Sequence, residues 1–84
     1  MKLLYCKNCG DVFNLTRFKK TCSCQQSAGY YTDNLNAVKS GNCIALGFSN
    51  STFIQAIQDE PENEPSLPFT AFVIPKNCKT IKPL

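Results

Sequence analysis

Cys6-Lys7-Asn8-Cys9 and Cys22-Ser23-Cys24 stand twelve residues apart, at the head of an 84-residue chain that holds six cysteines and no histidine. Two cysteines separated by two residues can wrap the backbone around one ion, so that both thiolates reach the same face. Gly10 follows the first pair, where a tight turn benefits from a residue free to take positive φ. Residues 10–21 are long enough for two short strands and a turn, with Val12, Phe13, Leu15 and Phe18 on the apolar side, which would return the second pair to the first. Four thiolates without a histidine predict a closed, tetrahedral zinc site on Cys6, Cys9, Cys22 and Cys24. Two disulfides, or a four-cysteine iron–sulfur cluster, are the competing uses of the same residues. A closed zinc site keeps no open coordination position, so its Zn2+ is structural. Binding energies of ~10–16 kcal/mol for comparable peptides would exceed what so small a core supplies.

Cys43, inside the apolar run Asn42-Cys43-Ile44-Ala45-Leu46, reads as a buried inert thiol. Cys78, in Lys76-Asn77-Cys78-Lys79, has lysine neighbours that favour a thiolate but no base to make it a catalyst. The two would pair only under oxidising conditions. The missing histidine removes every serine–histidine, cysteine–histidine and histidine-ligated mechanism, and Gly-x-x-x-x-Gly-Lys is absent. The expectation is therefore a protein that is not an enzyme.

The length holds one domain, and 43% hydrophobic against 18% charged residues is a globular balance. No secretory leader or membrane span is visible. Met1 stands at the start, as in an unprocessed chain, and the cysteine usage fits a reducing cytoplasm. The formal charge is +3. Four thiolates and a divalent ion together subtract two, leaving about +1. Asp59-Glu60-Pro61-Glu62-Asn63-Glu64 concentrates four of the six acids, so an acidic loop adjoins a basic body. Lys7, Arg17, Lys19 and Lys20 cluster around the cysteines, either to grip phosphate or to offset the thiolate charge. Lys76, Lys79 and Lys82 read as a solvated tail.

The elements expected to position these residues are few. Gly29-Tyr30-Tyr31-Thr32 reads as a strand, and Asp33 as the cap of a brief helix over 34–40, with Leu35 and Val38 three apart and Gly41 at its end. Residues 43–48 read as a buried strand. Asn50-Ser51-Thr52 begins a helix over 52–59, with Thr52 and Gln55 as a capping box and Phe53, Ala56 and Ile57 on one face. An acidic, proline-rich loop at 59–68 leads to a strand over 69–74 that would pair with 43–48. The fold class is α+β: a small zinc-stabilised domain with an N-terminal zinc ribbon (1–26) joined to a short antiparallel sheet with one or two helices (27–84).

Two polar clusters could meet a ligand. Gly47-Phe48-Ser49-Asn50-Ser51-Thr52 lies at a strand-to-helix junction whose free N–H groups favour an anion, although capping explains Asn50, Ser51 and Thr52 equally. Adjacent Tyr30 and Tyr31 point to opposite faces of a strand, which exposes one for stacking or for an interface.

Cys6-x-x-Cys9-Gly10, Cys22-x-Cys24, Asp33-Asn34-Leu35-Asn36-Ala37-Val38, Gly47-Phe48-x-Asn50-Ser51 and Phe72-Val73-Ile74-Pro75 occur together here. As a set, the chain resembles small uncharacterised zinc-ribbon-like proteins of Gram-positive bacteria and their phages. Gln25 stands where that group carries glycine after its last ribbon cysteine. The resemblance implies a phage or prophage product and brings no biochemical activity. The expected function is a binding protein acting in the host cytoplasm on a defence component. It would block a host protein, or hold an anionic nucleotide signal between subunits of a homo-oligomer through Tyr31, Lys39, Asn50, Ser51 and Thr52. The alternative is a nucleic-acid-binding or regulatory ribbon using Lys7, Arg17, Phe18, Lys19 and Lys20, with Phe18 as a stacking face.

Overall fold

The computed structural model describes all 84 residues as eight strands and one helix in two four-stranded sheets. The strands are β1 (Lys2–Cys6), β2 (Val12–Asn14), β3 (Lys20–Thr21), β4 (Ala28–Tyr31), β5 (Ala37–Ser40), β6 (Cys43–Phe48), β7 (Ala71–Val73) and β8 (Ile81–Pro83); α1 spans Asn50–Gln58. The first sheet has the order β2-β1-β6-β7 and is antiparallel throughout. The second has the order β3-β4-β5-β8, with β5 and β8 parallel. The α+β class holds, with two sheets in place of one and a single helix. No helix is long and apolar enough to cross a membrane.

The sheets meet over Leu4, Leu15, Ala37, Cys43, Ala45 and Ile81, with Phe13, Tyr31, Ile74 and Cys78 packed around them. Strand β6 shows why its apolar run is a strand: Cys43, Ala45 and Gly47 are buried while Ile44, Leu46 and Phe48 are half-exposed, the period of two that a pleated strand imposes. A Cβ on Gly29 would lie 2.8 Å from both Leu4 Cδ1 and the Val38 carbonyl oxygen, so glycine is what lets β4 approach the core this closely. Only twelve residues are buried, and two of them are Cys6 and Cys22. A core of that size leaves room for a stabilising contribution from the cysteines.

Four expectations are corrected. Residues 34–40 are not a helix. Asp33 Oδ1 instead accepts from the Leu35 and Asn36 N–H groups at 2.8 and 2.7 Å, closing a turn into β5 and leaving Leu35 60% exposed. Asparagines beside an acceptor favour such turns, and β-branched Val38 suits the strand that follows. Residues 10–21 do not form a self-paired hairpin, because β2 pairs with β1 and β3 with β4 in the other sheet. Leu15 is buried and Phe13 half-buried, but Val12 and Phe18 face solvent.

The helix begins at Asn50 with Ser49 as its cap residue, and no side chain caps it. Thr52 is used otherwise: its hydroxyl donates to the Ser49 carbonyl at 3.1 Å and accepts the Thr70 N–H at 3.0 Å. Phe53 docks the helix against Phe48 and Phe69, with ring centroids 5.2 and 4.9 Å away, while Ile57 stays exposed. Finally, the C-terminal stretch is not merely a solvated tail. Ile81 enters the core and β8 pairs with β5, keeping Lys82 at the sheet edge.

Candidate metal centre

Strand β1 delivers Cys6 at its buried end, and the chain then turns so that Gly10 N–H donates to the Cys6 carbonyl at 2.8 Å with Gly10 at φ 77°. The second turn is built alike: Gln25 N–H donates to the Cys22 carbonyl at 3.0 Å, and Gln25 takes φ 64°. Gln25 therefore adopts the left-handed backbone that glycine would accept more readily. These two turns bring the Sγ atoms of Cys6, Cys9, Cys22 and Cys24 within 4.8 Å of one another, a group able to hold a metal ion. Cys24 Sγ lies 3.4 Å from Cys22 Sγ and 3.7 Å from Cys6 Sγ. All six cysteines are free thiols.

Ser27 and Asp11 set this geometry, and neither was singled out in the sequence. Ser27 is fully buried; its hydroxyl donates to Cys6 Sγ at 3.3 Å and its N–H to Cys22 Sγ at 3.4 Å. Asp11 Oδ2 accepts from both the N–H and the hydroxyl of Ser23, at 3.0 and 3.1 Å, tying the second turn to the loop after the first. A serine between two ligands and an acid after a cysteine–glycine pair were the available signals. Ser27 falls in the stretch Gln25-Gln26-Ser27-Ala28, where no spacing or pattern marks it.

The same contacts polarise the sulfurs. The Ser27 hydroxyl pulls the Cys6 thiol down to about 6, against the opposing effect of burial. At Cys22, burial raises the thiol, but the Ser27 N–H and the Cys24 thiol more than offset it, for a net lowering. At Cys24 the Gln26 backbone lowers the thiol, yet burial and hydrogen bonds to the sulfurs of Cys22, Cys9 and Cys6 win and push it up to about 12. One thiolate in the cluster thus makes the next harder to form, the repulsion that a divalent cation removes.

Comparison with protein-family models, curated proteins and solved structures finds no match to this chain.

The remaining two cysteines are not part of the four-sulfur group. Cys43 lies opposite Cys6 in the β1–β6 register and donates to the Ser40 carbonyl at 3.6 Å; burial pushes its thiol up. Cys78 Sγ sits 3.3 Å from the Thr80 hydroxyl, whose hydrogen bond lowers its thiol.

The ligand candidates fall at two ends of β6. Tyr31 accepts the Lys2 N–H at 2.9 Å through its hydroxyl, and Asn50 Oδ1 accepts the Met1 amine at 2.9 Å, both beside the Phe48 end. Ser51 faces the Ser49 hydroxyl at 3.5 Å. Lys39 donates to the Cys43 carbonyl at 3.2 Å, at the other end of β6, ~17 Å along the strand from Phe48. Of the basic group, Arg17 donates to Asn34 Oδ1 at 2.8 Å and Lys20 to Asn14 Oδ1 at 2.7 Å, while Lys19 is exposed. Phe18 between them is 81% exposed. Lys7 instead lines a cleft with Lys39 and Lys76.

Proposed function

We propose that this chain is a non-enzymatic binding domain held in shape by one structural zinc ion on Cys6, Cys9, Cys22 and Cys24. The observation that carries the reading is the gathering of these four sulfurs within 4.8 Å. Tetrahedral zinc–thiolate bonds of about 2.3 Å require sulfurs about 3.8 Å apart, and the Cys22–Cys24 and Cys6–Cys24 separations of 3.4 and 3.7 Å approach that edge. Disulfides would need sulfurs at about 2.05 Å. The Ser27 hydrogen bonds to Cys6 and Cys22 are the outer-shell support that thiolate ligands favour. Four thiolates complete the coordination, so the ion stabilises and does not catalyse. Removing it with a chelator, while elemental analysis follows zinc and circular dichroism follows the fold, tests the reading. One zinc per chain and loss of cooperative folding on chelation are expected; a zinc-free protein that melts cooperatively refutes it.

The finer proposal is that the domain is phage-encoded and acts in the host cytoplasm by sequestering a nucleotide signal or blocking a defence protein. It draws its phage origin from the motif resemblance, and its binding character from the lack of a base beside either remaining thiol. The second reading, a nucleic-acid-binding ribbon, is favoured by the exposed Phe18 ring beside Arg17, Lys19 and Lys20. A shift of labelled oligonucleotide at low salt, lost in Phe18→Ala, is its test.

A further inference from the structure

Three clefts adjoin one another where β5, β8 and the loop after β7 meet, with volumes of about 280, 310 and 510 Å³. Lys76 lines all three, Lys39 and Lys82 each line two, and Lys7 and Lys79 line one apiece. Five of the nine basic residues thus converge from three separate stretches of sequence. None of the side chains lining these clefts is acidic, and none is aromatic. The lysine side chains that do make hydrogen bonds in this protein use carbonyl or amide oxygens, never a carboxylate. Lys39, fixed to the Cys43 carbonyl, keeps two of its three donors for another partner.

The bland account is that these lysines offset a zinc–thiolate dianion. It accounts for Lys7, which sits between two of the ligands, and for one charge more. It leaves three of the five positive charges without an account, shared among Lys39, Lys76, Lys79 and Lys82 in a concave surface. Lysine is a compact point charge without the fork that reads a carboxylate edge-on. Without an aromatic wall there is nothing for a nucleobase to stack on. A ligand recognised here is therefore recognised by the density of its negative charge.

We propose that Lys39, Lys76, Lys79 and Lys82 form a site for a ligand carrying several phosphate groups in series, with Lys76 at its centre. This deepens the nucleotide reading above and relocates its phosphates from the start of α1 to the β5–β8 edge. Asn50 and Thr52 already serve the Met1 amine and the Thr70 N–H, whereas the lysine clefts are open. The phosphates come either from a free nucleotide or from a nucleic-acid backbone, and the two sources differ in how binding scales with ligand length.

The test is calorimetry of the folded protein with inorganic tripolyphosphate, a nucleoside triphosphate and a short single-stranded oligonucleotide, with zinc counted in the same samples. Saturable tripolyphosphate binding is expected, weakened about tenfold or more in Lys76→Gln/Lys79→Gln, a loss of charge-assisted contacts, at unchanged melting temperature. Triphosphate binding that matches tripolyphosphate, with the oligonucleotide no tighter, supports the site with a free nucleotide as its source. Oligonucleotide binding that tightens with length and is lost in the same variant supports it with nucleic acid as the source. No saturable binding by folded protein, or an equal loss in the charge-matched Arg17→Gln/Lys19→Gln, overturns the site. Zinc-loaded protein that ignores tripolyphosphate refutes this site alone, whereas tripolyphosphate binding by folded, zinc-free protein upholds it and refutes the metal reading.

Discussion

Ser27 reaches Cys6 Sγ with its hydroxyl at 3.3 Å from a position 21 residues downstream, and so joins the end of β1 to the chain entering β4. Its own N–H holds Cys22 Sγ at 3.4 Å, so one buried serine serves a sulfur from each turn. Outer-shell donors of this kind orient thiolates and share their charge, and their loss costs metal affinity about 10–100-fold. Ser27→Ala keeps the backbone N–H and removes only the hydroxyl. A chelator competition should therefore show zinc affinity reduced by about 10-fold or more, with the protein still folded when zinc is saturating. Unchanged affinity would mean that Ser27 merely fills space.

Gly29 answers a different question, namely how close the two sheets come. A methyl group there would sit 2.8 Å from Leu4 Cδ1, 2.8 Å from the Val38 carbonyl oxygen and 3.1 Å from Leu15 Cδ2. The carbonyl belongs to the neighbouring strand and cannot yield as a side chain does. Gly29→Ala should cost about 1–3 kcal/mol, the usual range for overpacking a core, read as a shift in denaturant midpoint at constant slope. Metal affinity in the folded state should not change. A neutral substitution would show that the sheets stand further apart.

These two residues also mark the limits of what the sequence discloses. The cysteine spacing was enough to place four sulfurs in one group, because short loops constrain where consecutive ligands point. The run Cys43–Phe48 was enough for a strand, and its pairing with the strand after the proline-rich loop followed from the apolar character of both. What the sequence withheld is long-range. Ile81, an apolar residue between Thr80 and Lys82, gives no periodic signal, yet it completes the core and brings β8 beside β5. Leu35 and Val38 have helical spacing, but Asp33 captures the nearby N–H groups before a helix can use them. The lysine convergence is the same kind of fact: Lys39 and Lys76 are 37 positions apart and meet only through tertiary pairing.

The Asp33 turn predicts a pH dependence. The Asn36 side chain first, then the N–H groups of Asn36 and Leu35, hold the Asp33 carboxyl at about 2, below its ordinary 3.8. A depressed folded-state value means that the charged form stabilises the fold. The contribution is complete above the unfolded value, and it disappears as pH falls through the folded one. Asp33→Ala should melt below the wild type at neutral pH, and the gap should narrow as pH drops from 3.8 toward about 2. A gap that is flat or widens over that interval would show that Asp33 acts through something other than its charge.

Cys9 is where the metal reading is most exposed to refutation, because it is the one member of the four that lies open to solvent. Without an ion, an exposed thiol contributes next to nothing, and substitutions at such positions usually change stability by about 0.5 kcal/mol or less. With an ion, Cys9→Ser removes one of four ligands from a centre whose binding, ~10–16 kcal/mol in comparable peptides, is coupled to folding. Cys43→Ala supplies the opposite case: a buried thiol outside the cluster, whose loss leaves a small cavity and costs on the order of 1 kcal/mol. The two accounts therefore rank the variants in opposite orders. If packing holds the domain, Cys43→Ala is the worse variant and Cys9→Ser melts like the wild type. If the ion holds it, Cys9→Ser loses zinc and cooperative unfolding together, while Cys43→Ala keeps one zinc per chain and melts only a few degrees lower. Thermal melts of the two proteins, with zinc counted in each, decide between the orders.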